Sequence, residues 1–311
     1  MEKKFTDLKP NEVDYVLVKT SSGGPFVDDV VFLIYAQGYR WQIPNSAGEE
    51  VLNWLQGFPH VNLEEFIKSM GCTEDRIFIL YRGSEHPVLS EKNKENLKAR
   101  LLNFLCENFS ANSEAFQKIA EDIFNSYAED SRFYHTLEHI QNSLWELDQL
   151  PEQNIDKKCI ELAIWYHDVV YAPFSKTNEE DSAKKMKSDL GALSPKIDLE
   201  QVYQMILCTP ARLKKRSLTK SEQYFLDIDF SILGQPAIEY LVYQQHVRLE
   251  YQAVPYLTYH LKRKAFLKSN LKRNIFQTEW FRNRYEEQAI LNIKSELAKM
   301  PYKLLPTLCW K

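Results

Sequence analysis

Three of the seven histidines fall between Arg132 and Tyr171, in the segments R-F-Y-H-T-L-E-H-I and C-I-E-L-A-I-W-Y-H-D-V-V-Y. His135 and His139 are four residues apart, the spacing that puts two side chains on one face of a helix. His167 and Asp168 are adjacent inside an apolar run, Ile160 to Tyr171. A charged pair in such a run needs a partner or a metal to offset its desolvation. The pattern predicts two neighbouring helices that bring His139 and the His167–Asp168 pair to a single divalent ion. Imidazole nitrogen and carboxylate oxygen suit Zn, Mn, Fe, Co, Ni or Mg, and spacing alone does not choose among them. Open positions on such an ion would take a water and a substrate oxygen. A further carboxylate is expected downstream, in Leu226-Asp227-Ile228-Asp229-Phe230. On a helix Asp227 and Asp229 point about 200° apart, so only one of them faces the ion.

Each element of this reading has a plainer competitor. An isolated His–Asp dipeptide is usually a paired core group, and His135 with His139 alone could be a surface pair. Their concurrence on two apolar segments carries the metal hypothesis. Arg132 reads equally as a solvated helix-start residue or as a phosphate contact. Lys262-Arg263-Lys264, with Lys268, Lys272 and Arg273, reads as a solvated face, and Lys214-Lys215-Arg216 as an exposed loop. The aromatics of Tyr240 to Tyr259 read as core. His135-Thr136-Leu137-Glu138-His139 also matches the H-x-x-E-H pattern of inverted zinc peptidases, but that pattern leaves His167–Asp168 unexplained.

The elements that must position these groups change character along the chain. Val13–Lys19, Asp29–Tyr35, Tyr39–Ile43 and Arg76–Arg82 are β-branched or alternating and predict strands. Ser21-Ser22-Gly23-Gly24-Pro25 predicts a turn, and short helices are expected over 49–55 and 63–70. Gly83-Ser84-Glu85-His86-Pro87 breaks the pattern. Beyond it the periodicity is helical almost to the end, with Ser90 and Asn112 or Ser113 as N-caps. The expected organisation is a small α+β domain over residues 1–88 and a helical domain over 89–311.

Composition bounds the rest. With 44% hydrophobic and 26% charged residues the chain can bury a sizeable core. The net charge of −4 supplies no global field for nucleic acid. Five scattered cysteines without a C-x-x-C pair fit reduced thiols and a cytoplasmic location. No apolar run approaches the roughly 20 residues of a membrane span.

Further segments carry a resemblance to a known family. N-E-E-D-S-A (Asn178–Ala183), F-L-D-I-D-F-S-I-L-G (Phe225–Gly234), V-R-L-E-Y (Val247–Tyr251) and R-N-I-F-Q-T-E-W-F, followed by Glu286 and Asn292, accompany the two histidine segments in order. Over roughly residues 95 to 300 the chain resembles the predicted metal-dependent phosphohydrolases of the HD superfamily. The resemblance implies a mainly α, helical HD-domain bundle behind the small α+β domain. It implies His139, His167, Asp168 and Asp229 as ligands of one ion, with Asp168 also orienting the attacking water. His135, Arg132 and Glu179 would line the pocket. Many members place a further His after the Thr of a segment like Ile206–Thr209; Cys208-Thr209-Pro210-Ala211-Arg212 has none, which favours a single metal. The implied substrate is a small phosphate ester or anhydride of the nucleotide type. The alternative is a non-catalytic ligand sensor, with residues 1–88 as the part that binds a protein partner.

Overall fold

The computed structural model describes residues 4–22, 30–83, 89–151, 155–209 and 217–300. The turn expected at 21–25, the break at 83–88, with the domain boundary drawn there, and Lys214-Lys215-Arg216 lie wholly or partly outside them. The chain is mainly helical, with a four-stranded antiparallel sheet near its start. It divides into two compact units: residues 1–128 with 135–145, and residues 129–134 with 146–311.

In the first unit, β1 (Tyr15–Thr20), β2 (Val30–Ala36), β3 (Tyr39–Pro44) and β4 (Arg76–Arg82) form a sheet in the order β3-β2-β1-β4. Alternation sends Val16, Val18, Phe32, Ile34, Phe78 and Leu80 into one core, closed by Val51 and Leu55 of α1 (Gly48–Leu55) and by Phe66 of α2 (Leu63–Met70). Leu17, Leu33 and Ile79 are buried on the opposite face. A sheet covered on both faces explains why these strands read as near-continuous apolar runs. The β1–β2 connection is antiparallel, as the hairpin pattern implies, with Tyr15 opposite Tyr35 and Thr20 opposite Val30.

Two helices follow, α3 (Glu91–Asn108) and α4 (Ser113–Tyr127), each started by the expected polar cap. Ser90 accepts from Asn93 N–H and Asn112 from Ala115 N–H. They pack on each other, and each buries a stripe at helical spacing: Leu97, Leu101, Phe104 and Leu105 from α3, and Phe116, Ile119, Ala120 and Ile123 from α4. Next comes α5 (Leu137–Gln149), whose residues up to Trp145 group with the first unit.

The second unit is built on α6 (Lys157–Tyr166), in which Cys159, Ile160 and every residue from Leu162 to Tyr166 are buried. A helix apolar all round must be packed on several sides, and α7 (Asn178–Leu190), α8 (Leu199–Ile206) and α9 (Lys220–Asp229) all contact it. A single 3-10 turn, Phe230–Gly234, joins α9 to α10 (Ala237–Glu250) and packs on α12 (Glu279–Lys299); α11 (Tyr256–Asn270) also lies against α12. Gly234 is obligatory there, because a Cβ would stand 2.4 Å from Cβ of Tyr285. No described helix is long and apolar enough to cross a membrane.

Candidate metal centre

The His167–Asp168 pair sits where α6 stops. His167 is the C-cap, still in αR conformation, with its N–H on Ala163 O at 2.8 Å. The helix therefore ends earlier than the apolar run suggests, and the residues after it leave orphan carbonyls. Side chains satisfy them in succession. Arg132 donates Nη1 to Asp168 O at 2.6 Å and Nη2 to Val169 O at 3.1 Å. Ser182 of α7 donates Oγ to Val170 O and accepts from Val170 N–H. The turn that carries Asp168 is thus held on three consecutive carbonyls.

The imidazole of His167 is buried and fixed on both nitrogens. Nδ1 lies 2.9 Å from Ile164 O. A carbonyl only accepts, so Nδ1 carries a hydrogen and Nε2 is the exchangeable nitrogen. Nε2 faces two carboxylates, Asp168 Oδ2 at 3.0 Å and Asp229 Oδ1 at 3.7 Å. Phe225 meets the ring edge-on at 5.8 Å between centroids. Burial pulls the His167 pKa down, but the Asp168 charge and hydrogen bond and the Asp229 charge overcome it and push the value up to about 9. Two carboxylates thus favour positive charge at Nε2, whether it is a proton or a metal cation.

Asp227 and Asp229, two residues apart, have different work. Asp227 is fully buried and accepts from Gln277 N–H (2.7 Å), Thr278 N–H (2.7 Å) and Thr278 Oγ–H (2.8 Å). Thr278 is the N-cap of α12, so Asp227 ties α9 to the start of that helix. Asp229, the last residue of α9, is left to face His167. His167 and Asp229, both in the second unit, offer ligand atoms 3.7 Å apart, and His139 is buried in the first turn of α5, in the first unit. The His167–Asp229 spacing suits two ligands of one ion with bonds of roughly 2 Å.

Three expectations are corrected. His135 and His139 do not share a helix face. Thr136 accepts from Glu138 N–H and so starts the helix after His135, which lies in the preceding bend with its ring 6.1 Å from that of His139. The helical H-x-x-E-H geometry of the peptidase pattern is therefore not formed. Arg132 is neither a solvated residue nor poised as a phosphate contact: its side chain is buried, with its donors on Asp168 O, Val169 O and Glu129 Oε2 and its guanidinium 5.4 Å from the Tyr171 ring centre. It positions the Asp168 turn. Arg263, expected on a solvated face, is buried in an ion pair with Glu296. Glu179 lies half-buried in the first turn of α7.

The residue that sequence reading passed over is Glu250. It is buried at the end of α10, and its Oε1 accepts from both Phe133 N–H (2.9 Å) and Tyr134 N–H (2.8 Å). Its Oε2 accepts from Tyr171 Oη at 2.9 Å. One carboxylate therefore anchors the segment leading into His135 and the residue that follows the Asp168 turn by three positions. The available signal was a glutamate in an apolar helix, within V-R-L-E-Y. Tyr134 was also missed. Burial, then the charges of Tyr243, Asp229 and Asp168, push its phenol well above the ordinary range, so it stays protonated beside the two carboxylates.

No family model matches the chain, and no curated protein or solved structure matches it.

Proposed function

We propose that this chain is a metal-dependent phosphohydrolase of the HD type, acting on a small phosphate ester or anhydride of the nucleotide class. The observation that carries the reading is the convergence of the Asp168 and Asp229 carboxylates on His167 Nε2, whose ring is oriented by Ile164 O. Second-level hydrogen bonds of this kind are what orient metal-binding histidines. His139, His167 and Asp229 would hold the ion, with Asp168 as the fourth expected ligand. A divalent ion in such a place supplies Lewis acidity, which acidifies water and offsets charge on a phosphoryl oxygen.

The chain's own residues supply the remaining functions. Asp168 is positioned to accept a proton from an attacking water, on a turn that Arg132 and Ser182 hold rigid. His135, outside the helix and beside His139, is the candidate for a proton-transfer role without metal binding.

Elemental analysis of the purified protein tests the metal, with a single transition-metal ion per chain expected. Turnover is tested on nucleotides, sugar phosphates, single-stranded RNA, DNA and peptides, with Asp168→Ala as the blank. Cleavage confined to peptides overturns the reading. Cleavage of polynucleotides alone keeps the chemistry and replaces the substrate. Metal without turnover of anything favours the sensor alternative. His135→Ala is expected to keep its metal and lose turnover; loss of both makes His135 a ligand.

A further inference from the structure

The N-terminal sheet reaches the helix that carries His139. Arg82, the last residue of β4, is buried, and its Nη2 lies 3.4 Å from Oε1 of Glu138. Glu138 stands in the first turn of α5, next to His139. Its side chain is 32% exposed whereas that of Arg82 is 5% exposed, so Arg82 is the anchored partner and Glu138 the held one.

A defect in the sheet makes this possible. Along β4, Phe78 and Leu80 point into the first unit's core, and unbroken alternation would send Arg82 after them. The register instead slips between Val16 and Leu17: Leu17 pairs with Ile79 and Val16 with Tyr81, leaving Leu80 as an extra residue. Such a bulge reverses the facing of everything beyond it. Tyr81 takes the core position, and Arg82, opposite Tyr15, turns to the face of Leu17 and Ile79. The strand end is then locked. Gly83 N–H donates to Asp14 O at 2.8 Å, and a Cβ on Gly83 would stand 1.8 Å from Val13 O.

We infer that Arg82 is a positioning residue for the candidate metal centre: the bulged end of β4 uses it to hold Glu138, and through Glu138 the first turn of α5 with His139. The small sheet is on this account part of the centre's scaffold. The inference rests on the proposed metal function and adds to it a role for the sheet.

The test uses the full chain, freed of metal and titrated with Co²⁺, followed by its visible absorption and by calorimetry. Arg82→Ala and Glu138→Gln are each expected to weaken Co²⁺ binding at least tenfold. The double variant is expected to be no worse than the weaker single one. Arg82→Lys is expected to recover part of the loss. Ile79→Ala, on the same sheet face, serves as a control: it lowers the unfolding temperature and leaves Co²⁺ affinity within about twofold of the unaltered chain. Should Arg82→Ala fail to fold, Glu138→Gln, on the less buried partner, decides the question. Unchanged affinity in the Arg82 and Glu138 variants overturns the inference and leaves the metal reading intact. So does an Ile79→Ala loss as large as that of Arg82→Ala. No Co²⁺ binding by the unaltered chain overturns the metal reading, and this inference falls with it.

Discussion

Among the described residues of 146–300, two charged clusters with buried hubs are built on opposite plans. In one, Arg263 of α11 grips Glu296 of α12 with Nε on Oε1 at 2.9 Å and Nη2 on Oε2 at 3.1 Å. Its Nη1 donates to Tyr243 Oη at 2.9 Å, and Tyr240 Oη donates to Glu296 Oε2 at 2.5 Å. In the other, Asp168 and Asp229 converge on His167 Nε2. The hub of the first is a guanidinium, which is charged at any working pH. The hub of the second is an imidazole, which can give up its proton to a base or its place to a metal. A permanent charge suits a joint between helices. An exchangeable one suits chemistry, and that difference separates the structural cluster from the candidate functional one although the hub of each is buried.

The largest effect expected is on the exchangeable hub. Asp168→Ala should lower metal-dependent phosphate hydrolysis roughly 10²–10⁴-fold, the range for losing a positioned acid–base group, while circular dichroism shows the helices intact. Retention of full metal content by that variant would erase the distinction drawn between the two clusters. Arg263→Ala should do the reverse: denaturant unfolding should show a loss of about 3–5 kcal/mol, because Glu296 is left buried without its cation, and metal content should be unchanged.

Smaller effects sharpen the same contrast inside one motif. Asp227→Ala removes the acceptor of three hydrogen bonds at the start of α12. It should cost about 2–4 kcal/mol in thermal unfolding and leave metal affinity near that of the unaltered chain. Asp229→Ala should do the opposite. If both lose metal equally, the division of labour between them is wrong.

The smallest effect depends on pH. Glu146 is fully buried, accepting from Tyr285 Oη at 2.6 Å and Gln235 Nε2 at 3.3 Å. Burial, opposed by the Tyr285 hydrogen bond and the Arg284 charge, raises its pKa from 4.5 to about 7. Between those two values the folded protein retains a proton that the unfolded chain has released. This group's stability contribution is therefore full below the lower value and declines as the pH rises through the higher one. Glu146→Gln, which keeps an acceptor for Tyr285, should raise stability at pH 8 by at most on the order of 3 kcal/mol. It should bring no gain at pH 4. A gain independent of pH would assign the effect to packing.

The elements themselves were legible from local physics. The strands over 15–20, 30–36, 39–44 and 76–82 lie within one or two residues of their expected bounds, and α3 and α4 start at the expected caps. Period, caps and turn residues act within a few positions of chain, so the sequence carries them directly. Residue types alone also singled out His167, Asp168 and the Asp227–Asp229 pair, because charge inside apolar runs demands a partner. Tertiary structure decided what each partner is. Asp227 and Asp229 differ only in what packs beside them: the start of α12 at one, His167 at the other. Arg132 could be a phosphate contact or a surface residue until the carbonyls of Asp168 and Val169, thirty-six and thirty-seven residues away, claimed it. His135 left the helix because Thr136 caps it, and Glu250 gained its role from main-chain N–H groups at Phe133 and Tyr134, more than a hundred residues earlier. Main-chain donors and acceptors are the same at every residue, so side-chain identity cannot signal which of them a buried carboxylate or guanidinium will meet; only folding brings them together.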